Sequence, residues 1–340
     1  MSPRNFVHTS HYSFISIADK PWRQLGPFLA YYTSTREAIT DARLNYKISQ
    51  QSRQNNSTKN KKRNQLKQIY QFTACPNTGK IIGTVPDNYQ VSQNEDAFVF
   101  LDSIAKRENI YYETAGTLNN GERMFIMARL PGDIRLINCT ETLEKYLLLT
   151  TSLKHPGRIK ICFIPIRNAS NNTLNVALGN NNCFKVHHSI KGREDVKNAY
   201  KVLRFANDLA EKSEMILSQW TRIKITDKQV RKLIYIALSP EDPSALSAIE
   251  EGNYDKISIV TRSRCEKAIK YALNHPTQLY ETTKGTIYGA YNAVSGYFQN
   301  VAQYKSAEDK FRSITEGKAR RKLQKACHLC HNFQKYRSLF

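Results

Sequence analysis

The spacing of apolar and polar positions divides the chain into two parts with different periods. Between residues 80 and 190 the apolar side chains come in short runs, rich in β-branched and aromatic residues and bounded by turn formers. Residues 80–85, 110–118, 123–130, 144–153, 158–166 and 183–190 are therefore expected as strands. Asn119-Asn120-Gly121 and His155-Pro156-Gly157 have the composition of hairpin turns, so the strands they separate are expected to pair antiparallel. Asn94-Glu95-Asp96 opens an amphipathic helix in the same part, with Ala97, Phe98, Leu101 and Ile104 on its apolar face.

Beyond residue 190 the period lengthens. Val196, Ala199, Leu203, Ala206, Ala210 and Leu217 recur at helical spacings and predict one helix over 196–220. Thr226 and Gln229 have the spacing of a capping box ahead of a helix at 230–238, which Ser239-Pro240 ends. Further helices are expected over 258–274 and 285–303. In the latter, Ile287, Tyr291, Val294, Phe298 and Val301 form a core stripe, which claims the nearby aromatic residues for packing. The predicted fold class is α+β: an antiparallel β-sheet with a packed helix in the N-terminal half, and a mainly helical C-terminal half. The expected organisation is an N-terminal segment (1–44), a basic flexible loop (45–79), the sheet core (80–190), a helical region packed on it (191–309) and a basic C-terminal helix or tail (310–340).

Charge gives this scaffold a direction. Lys and Arg number 51 against 29 Asp and Glu, a formal charge of +22 over 340 residues. Such an excess repels itself, and a polyanion that neutralises it would be drawn in at long range. The expected partner is nucleic acid. The excess is concentrated in places. No acidic residue lies between Asp41 and Asp87, where Lys59, Lys61, Lys62 and Arg63 stand in a Gln/Asn/Ser-rich stretch, read as a solvated linker or as a DNA-touching arm. After Asp309 the cations Arg320, Arg321, Lys322 and Lys325 and their neighbours are opposed by Glu316 alone. Within the expected strand 123–130, period two puts Arg123, Phe125, Met127 and Arg129 on one face, with Arg158 and Lys160 sharing a face on another strand. Cations flanking an aromatic ring suit a single strand, whose phosphates meet the charges while a base stacks.

Candidate chemistry is sparse. The phosphate-loop, nucleophile-elbow and zinc-protease motifs are absent, so no catalytic residue and no cofactor are expected. Seven cysteines, mostly in apolar segments, read as buried reduced thiols. Cys327-His328-Leu329-Cys330-His331 fits half a zinc site or a haem-attachment motif, but is read first as two thiols facing a core. His187 and His188, adjacent on a strand, would point to opposite faces and not share a metal. No run reaches the roughly 20 apolar residues that span a bilayer, and the first residues lack a signal-type apolar stretch. A cytosolic protein with no membrane partner is expected. Two rivals stay open: a metal-dependent enzyme acting on nucleic acid through Glu95, Asp96 and Glu113, and a basic interaction protein with an acidic protein partner.

Several stretches have a further resemblance in common. Pro21-Trp22-Arg23-Gln24-Leu25-Gly26, residues 85–95, Tyr112-Glu113-Thr114-Ala115-Gly116, Asn172-Thr173-Leu174, residues 286–294 and Gly317-Lys318-Ala319 resemble, in order and over nearly the whole chain, the phage/plasmid-like protein family, domain of unknown function 932. Arg23 stands where members of that family usually carry His, and Ser170-Asn171 where they carry Cys-Gln, so no role of that His or Cys transfers. The resemblance implies a mobile element in a bacterial host cell. With the charge and the α+β core it leads to the expectation of a single-stranded-DNA-binding or annealing protein, acting as a homo-oligomer in recombination or replication. Annealing needs backbones held and bases left free to pair, hence cationic grooves and no catalytic groups.

Overall fold

The computed structural model describes residues 25–32, 34–46, 49–52, 69–73, 81–86, 93, 98–118, 123–152, 158–174, 183–187 and 193–335. The main sheet is antiparallel throughout. Its strands, numbered in chain order, run β1 (Phe28–Tyr32), β5 (Tyr111–Leu118), β6 (Arg123–Arg129), β8 (Thr142–Ser152), β9 (Arg158–Arg167) and β10 (Cys183–His187), with β7 (Ile134–Arg135) beside β8. A second sheet holds β2 (Ser49–Ser52), β3 (Ile69–Thr73) and β4 (Ile81–Pro86). The antiparallel sheet and helical C-terminal half agree with the expected class, with two departures. The strand expected at 80–85 belongs to the second sheet, and the stretch expected as a loop contributes β2 and β3. Strand β2 is Ser-Gln-Gln-Ser, held by pairing with β3 from Ser49↔Thr73 to Ser52↔Tyr70, and it has no apolar residue for a pattern to register.

Both faces of the main sheet are buried at its centre. Met124, Ile126 and Ala128 of β6 join the large core, which includes Leu101 and Ile104 of α2 (Val99–Ala105) and Val202, Leu209, Leu217 and Trp220 of α3 (Arg193–Arg222). Phe125 and Met127 join a second core with Tyr146, Leu148, Cys162, Ile164, Ile166 and Phe311. The expected helix at 94–104 is α2, starting at Val99, with Asn94 to Ala97 outside the described residues. A short helix, α1 (Thr35–Asp41), follows β1. Its first turn is fixed to α2, since Thr35 N and Oγ1 both donate to the Asp102 carboxylate and Tyr112 Oη donates to the same group at 2.6 Å. Gly26 and Gly116 let the segment before β1 approach β5 closely: a Cβ on Gly26 would stand 2.0 Å from the Ala115 carbonyl oxygen, and one on Gly116 2.5 Å from that of Leu25.

In the helical half, α3 carries the expected stripe: Ala199, Ala206, Ala210 and Leu217 are buried. Helix α4 (Asp227–Leu238) opens on the expected capping box, where Thr226 Oγ1 accepts from Gln229 N at 3.2 Å and Gln229 Oε1 from Thr226 N at 3.0 Å. Next come α5 (Pro243–Glu250), α6 (Ile259–Asn274) and α7 (Ile287–Gly296), every residue of which is buried. Helix α7 continues into a π-helical turn, Tyr297–Val301. The C-terminal region is two helices, α8 (Ala307–Thr315) and α9 (Lys318–His331), broken at Gly317. Among the described residues no helix is long and apolar enough to cross a membrane.

The cysteines need one correction. Cys162 and Cys183 are joined by a disulfide, because the register of β9 and β10 sets them directly opposite each other. Cys265, Cys327 and Cys330 are buried free thiols, Cys139 is a partly exposed one, and Cys75 lies outside the described residues.

Candidate nucleic-acid interface

Three of the expected cations converge from distant parts of the chain. Arg123 opens β6, Lys160 lies near the start of β9, and Arg320 is in the first turn of α9. Glu316, in the α8–α9 corner, is their common counter-charge. Arg123 grips it with Nη1 and Nη2 at 2.6 and 2.7 Å, and Lys160 Nζ donates at 3.4 Å. Arg320 Nη1 donates to the Thr315 carbonyl at 2.7 Å, just before it. The hydrogen bonds from Arg123 outweigh burial and hold the Glu316 carboxyl down at about 2. Burial pulls the Lys160 ammonium below its usual range despite Glu316, and the like charges of Arg320 and Arg123 pull the same way. The cluster is thus three cations around one carboxylate. Gly317 caps α9 without a side-chain bond, and the first turn of that helix holds no acidic residue, so the positive end of its dipole adds to the cations. Lys318 and Arg321 on α9 and Arg312 on α8 are exposed nearby in sequence.

The sheet face expected to carry a strand of nucleic acid is closed. Phe125 is 0% exposed and packs on Phe311 of α8 with ring centroids 5.3 Å apart, so it offers no surface for a base. Arg129, at the far end of β6, pairs with Asp133 at 2.8 Å and Glu144 at 3.5 Å. Between the two arginines lie buried apolar side chains, and a continuous cationic track on this face is therefore ruled out. The alternation misled because only the ends of β6 are polar. Its interior, Met-Phe-Ile-Met-Ala, is the near-continuous apolar run of a strand covered on both sides.

The remaining expected cations separate. Lys322 Nζ and Lys325 Nζ both donate to the Ser239 carbonyl, at 2.5 and 3.4 Å, and so cap the C-terminal end of α4. Burial lowers the pKa of both. Arg321 is exposed. Arg158 pairs through its backbone with His187 across β9 and β10, and its side chain is outside the described set. Lys59, Lys61, Lys62 and Arg63 lie outside the described residues, as do Glu95, Asp96 and His188.

The C-terminal cysteines take the core reading rather than the zinc or haem one. Cys327 and Cys330 face the core, with Cys330 Sγ 4.0 Å from the Ile287 carbonyl oxygen, while His331 is exposed. Burial and the neighbouring Cys327 raise the Cys330 thiol well above its usual range, which disfavours the thiolate a metal needs. Glu113 is buried and accepts a short hydrogen bond from Tyr146 Oη, which also lies 3.1 Å from Glu144. No group of three or more potential metal ligands occurs among the described residues.

Sequence reasoning missed a buried polar assembly at the end of β9. Arg167, 0% exposed, forms a two-point ion pair with Glu141 at 2.7 and 2.9 Å and donates to the Thr277 carbonyl at 2.9 Å. Thr282 Oγ1 completes the Glu141 carboxylate at 2.9 Å. Alongside, the backbone of Thr173 is held by Gln299 and Ser295, and Asn300 donates to Asn172 and Tyr271. Arg167 closes a strand and would read as a solvent-facing end in any single-strand pattern. The one available signal was that 172–174 and 286–294, two stretches that carry the family resemblance, meet here. Two clefts flank the assembly. One, of ≈720 Å³, is lined by Glu141, Arg222, Lys224, Tyr280 and Thr282 among others. The other, of ≈520 Å³, lies between the end of α6 and the π-helical turn and is lined by Lys267, Lys270, Tyr271, His275 and Tyr297 among others.

No curated protein and no solved structure matches the chain. Residues 81–325, well over half of the chain, match the family model described as Domain of unknown function (DUF932), and the chain belongs to that family.

Proposed function

We propose that this protein binds nucleic acid through the sugar-phosphate backbone, with single-stranded DNA as its first partner, and acts without catalysis as a binding or annealing protein of a phage- or plasmid-type element. The observation that carries the reading is the meeting of Arg123, Lys160 and Arg320, separated by up to two hundred positions in the sequence, around the single carboxylate of Glu316. A partly desolvated cluster with more cations than anions is a place where a phosphate is favourable, and a net charge of +22 draws a polyanion to it. Burial of Phe125 removes base stacking on the sheet and leaves backbone holding, the mode annealing needs. Assembly as a homo-oligomer belongs to the same proposal.

The test is a titration of short single- and double-stranded oligonucleotides at several salt concentrations, with particle size followed alongside. Binding that weakens linearly in log salt supports the proposal. No binding to any oligonucleotide, even at low salt, returns the charge to the alternative of an acidic protein partner.

A further inference from the structure

The connection between α6 and α7 displays two large side chains to solvent: Leu279 is 48% and Tyr280 50% exposed. This segment is tightly wound. Leu279 N donates to the Pro276 carbonyl at 3.1 Å, while Thr283 N and Lys284 N both donate to the Tyr280 carbonyl, at 3.0 and 2.7 Å. Tyr280 is also held from within, since the guanidinium of Arg167 lies over its ring at 5.8 Å and is itself locked by Glu141 and the Thr277 carbonyl. A ring that is half in water, on a rigid turn and backed by a buried cation, contributes little to the core. It is pre-ordered for a contact from outside.

Cations line the cleft it borders. Tyr280 shares the first cleft with Arg222 and Lys224, both of them exposed. Of the acidic groups at the first cleft, Glu141 is consumed by Arg167, and Glu281 is an exposed carboxylate that reduces the field without closing the site. An exposed ring beside a pair of cations matches a single strand, where a base stacks on the ring and a neighbouring phosphate takes the charges. The expected sheet site had this same combination in sequence but loses its ring to the core.

We infer that the Tyr280 turn is a base-stacking contact for single-stranded nucleic acid, with a phosphate next to the stacked base held at Arg222 and Lys224. The inference rests on the proposed nucleic-acid binding but shares no residue with the α8–α9 corner, so the two can fail separately.

The experiment compares the wild-type chain with Tyr280→Ala, Tyr280→Phe and Arg320→Ala/Arg321→Ala on a short single strand carrying 2-aminopurine and on a duplex of the same length. Y280A should weaken single-strand binding about 5- to 150-fold, the worth of one stacked base, with duplex binding unchanged. Y280F should bind as wild type does. The wild-type complex should quench the 2-aminopurine emission, and Y280A should not. The corner variant should weaken both ligands. Single-strand binding by Y280A equal to wild type, an equal loss on duplex, or absent quenching in the wild-type complex would overturn the stacking contact alone. Loss of self-association in Y280A with DNA binding intact would make the turn a protein contact and overturn it too. Should Y280A fail to fold, quenching by wild type and by Y280F decides the matter. No binding by the wild-type chain would remove the proposed function as well.

Discussion

Glu316 joins pieces of the chain that local sequence could not connect, and its charge has consequences that can be measured. Its folded-state carboxyl is held at about 2, below the ordinary 4.5. The stability it contributes is therefore fully present above pH 4.5 and is lost as pH falls toward 2. Because the group is one-third exposed, the contribution is that of a surface pair, about 1 kcal/mol or less. Glu316→Gln is expected to make the acid limb of a pH–stability curve shallower between those values. It should also tighten single-strand binding by removing the competing anion, as a titration at fixed salt would register. Phe125 makes the opposite point. As a core ring packed on Phe311, its replacement by Ala should cost about 3–5 kcal/mol in denaturant unfolding and should leave stacking on Tyr280, followed by 2-aminopurine quenching in the folded fraction, unaltered. A specific loss of that quenching with stability intact would restore the sheet face as a binding surface.

Among the elements, those with strong periodicity were legible and those defined by what packs on them were not. The stripe of α3 and the capping box of α4 could be read directly, because local chemistry determines both. Strand β6 was read correctly as a strand and wrongly as one-sided, since what covers its second face is Phe311, almost two hundred residues away. The facing of Cys162 and Cys183 likewise depends on the register of β9 and β10, which no spacing along the chain encodes. Charge misled for a related reason. Lys322 and Lys325 sit in the most basic part of the chain, yet they donate to the carbonyl at the end of α4. Replacing either with Ala should destabilise the fold by about 0.3–1 kcal/mol, as expected for a cation at a helix C-terminus, and should leave the salt dependence of DNA binding unchanged. A flattened slope in those variants would return both lysines to the interface.

On the scale of the whole molecule, an antiparallel sheet buried on both faces at its centre leaves its strand ends and the helical half to present charge, and two separate surfaces result. The α8–α9 corner gathers the cations proposed to hold a backbone, and the α6–α7 turn adds an exposed ring beside the cationic cleft of Arg222 and Lys224. The disulfide tests the sheet itself. It closes a separation of 21 residues across the β9–β10 pair, so reduction should lower stability by roughly 3 kcal/mol on the loop-entropy estimate, visible as a lower melting temperature in dithiothreitol. An unchanged melting temperature would mean that the pair adds nothing to the fold. The candidate site was legible only in part: Arg123, Lys160 and Arg320 were each named from sequence, but their common carboxylate and the Tyr280 turn required the tertiary arrangement.

If the α8–α9 corner holds a sugar-phosphate backbone, as proposed, the salt dependence of single-stranded DNA affinity will differ between wild type and the Arg320→Ala/Arg321→Ala variant. Log affinity should fall linearly with log salt in both, with a slope flatter in the variant by about 0.7 for each phosphate that the two arginines no longer neutralise. Identical slopes in the two proteins would contradict it.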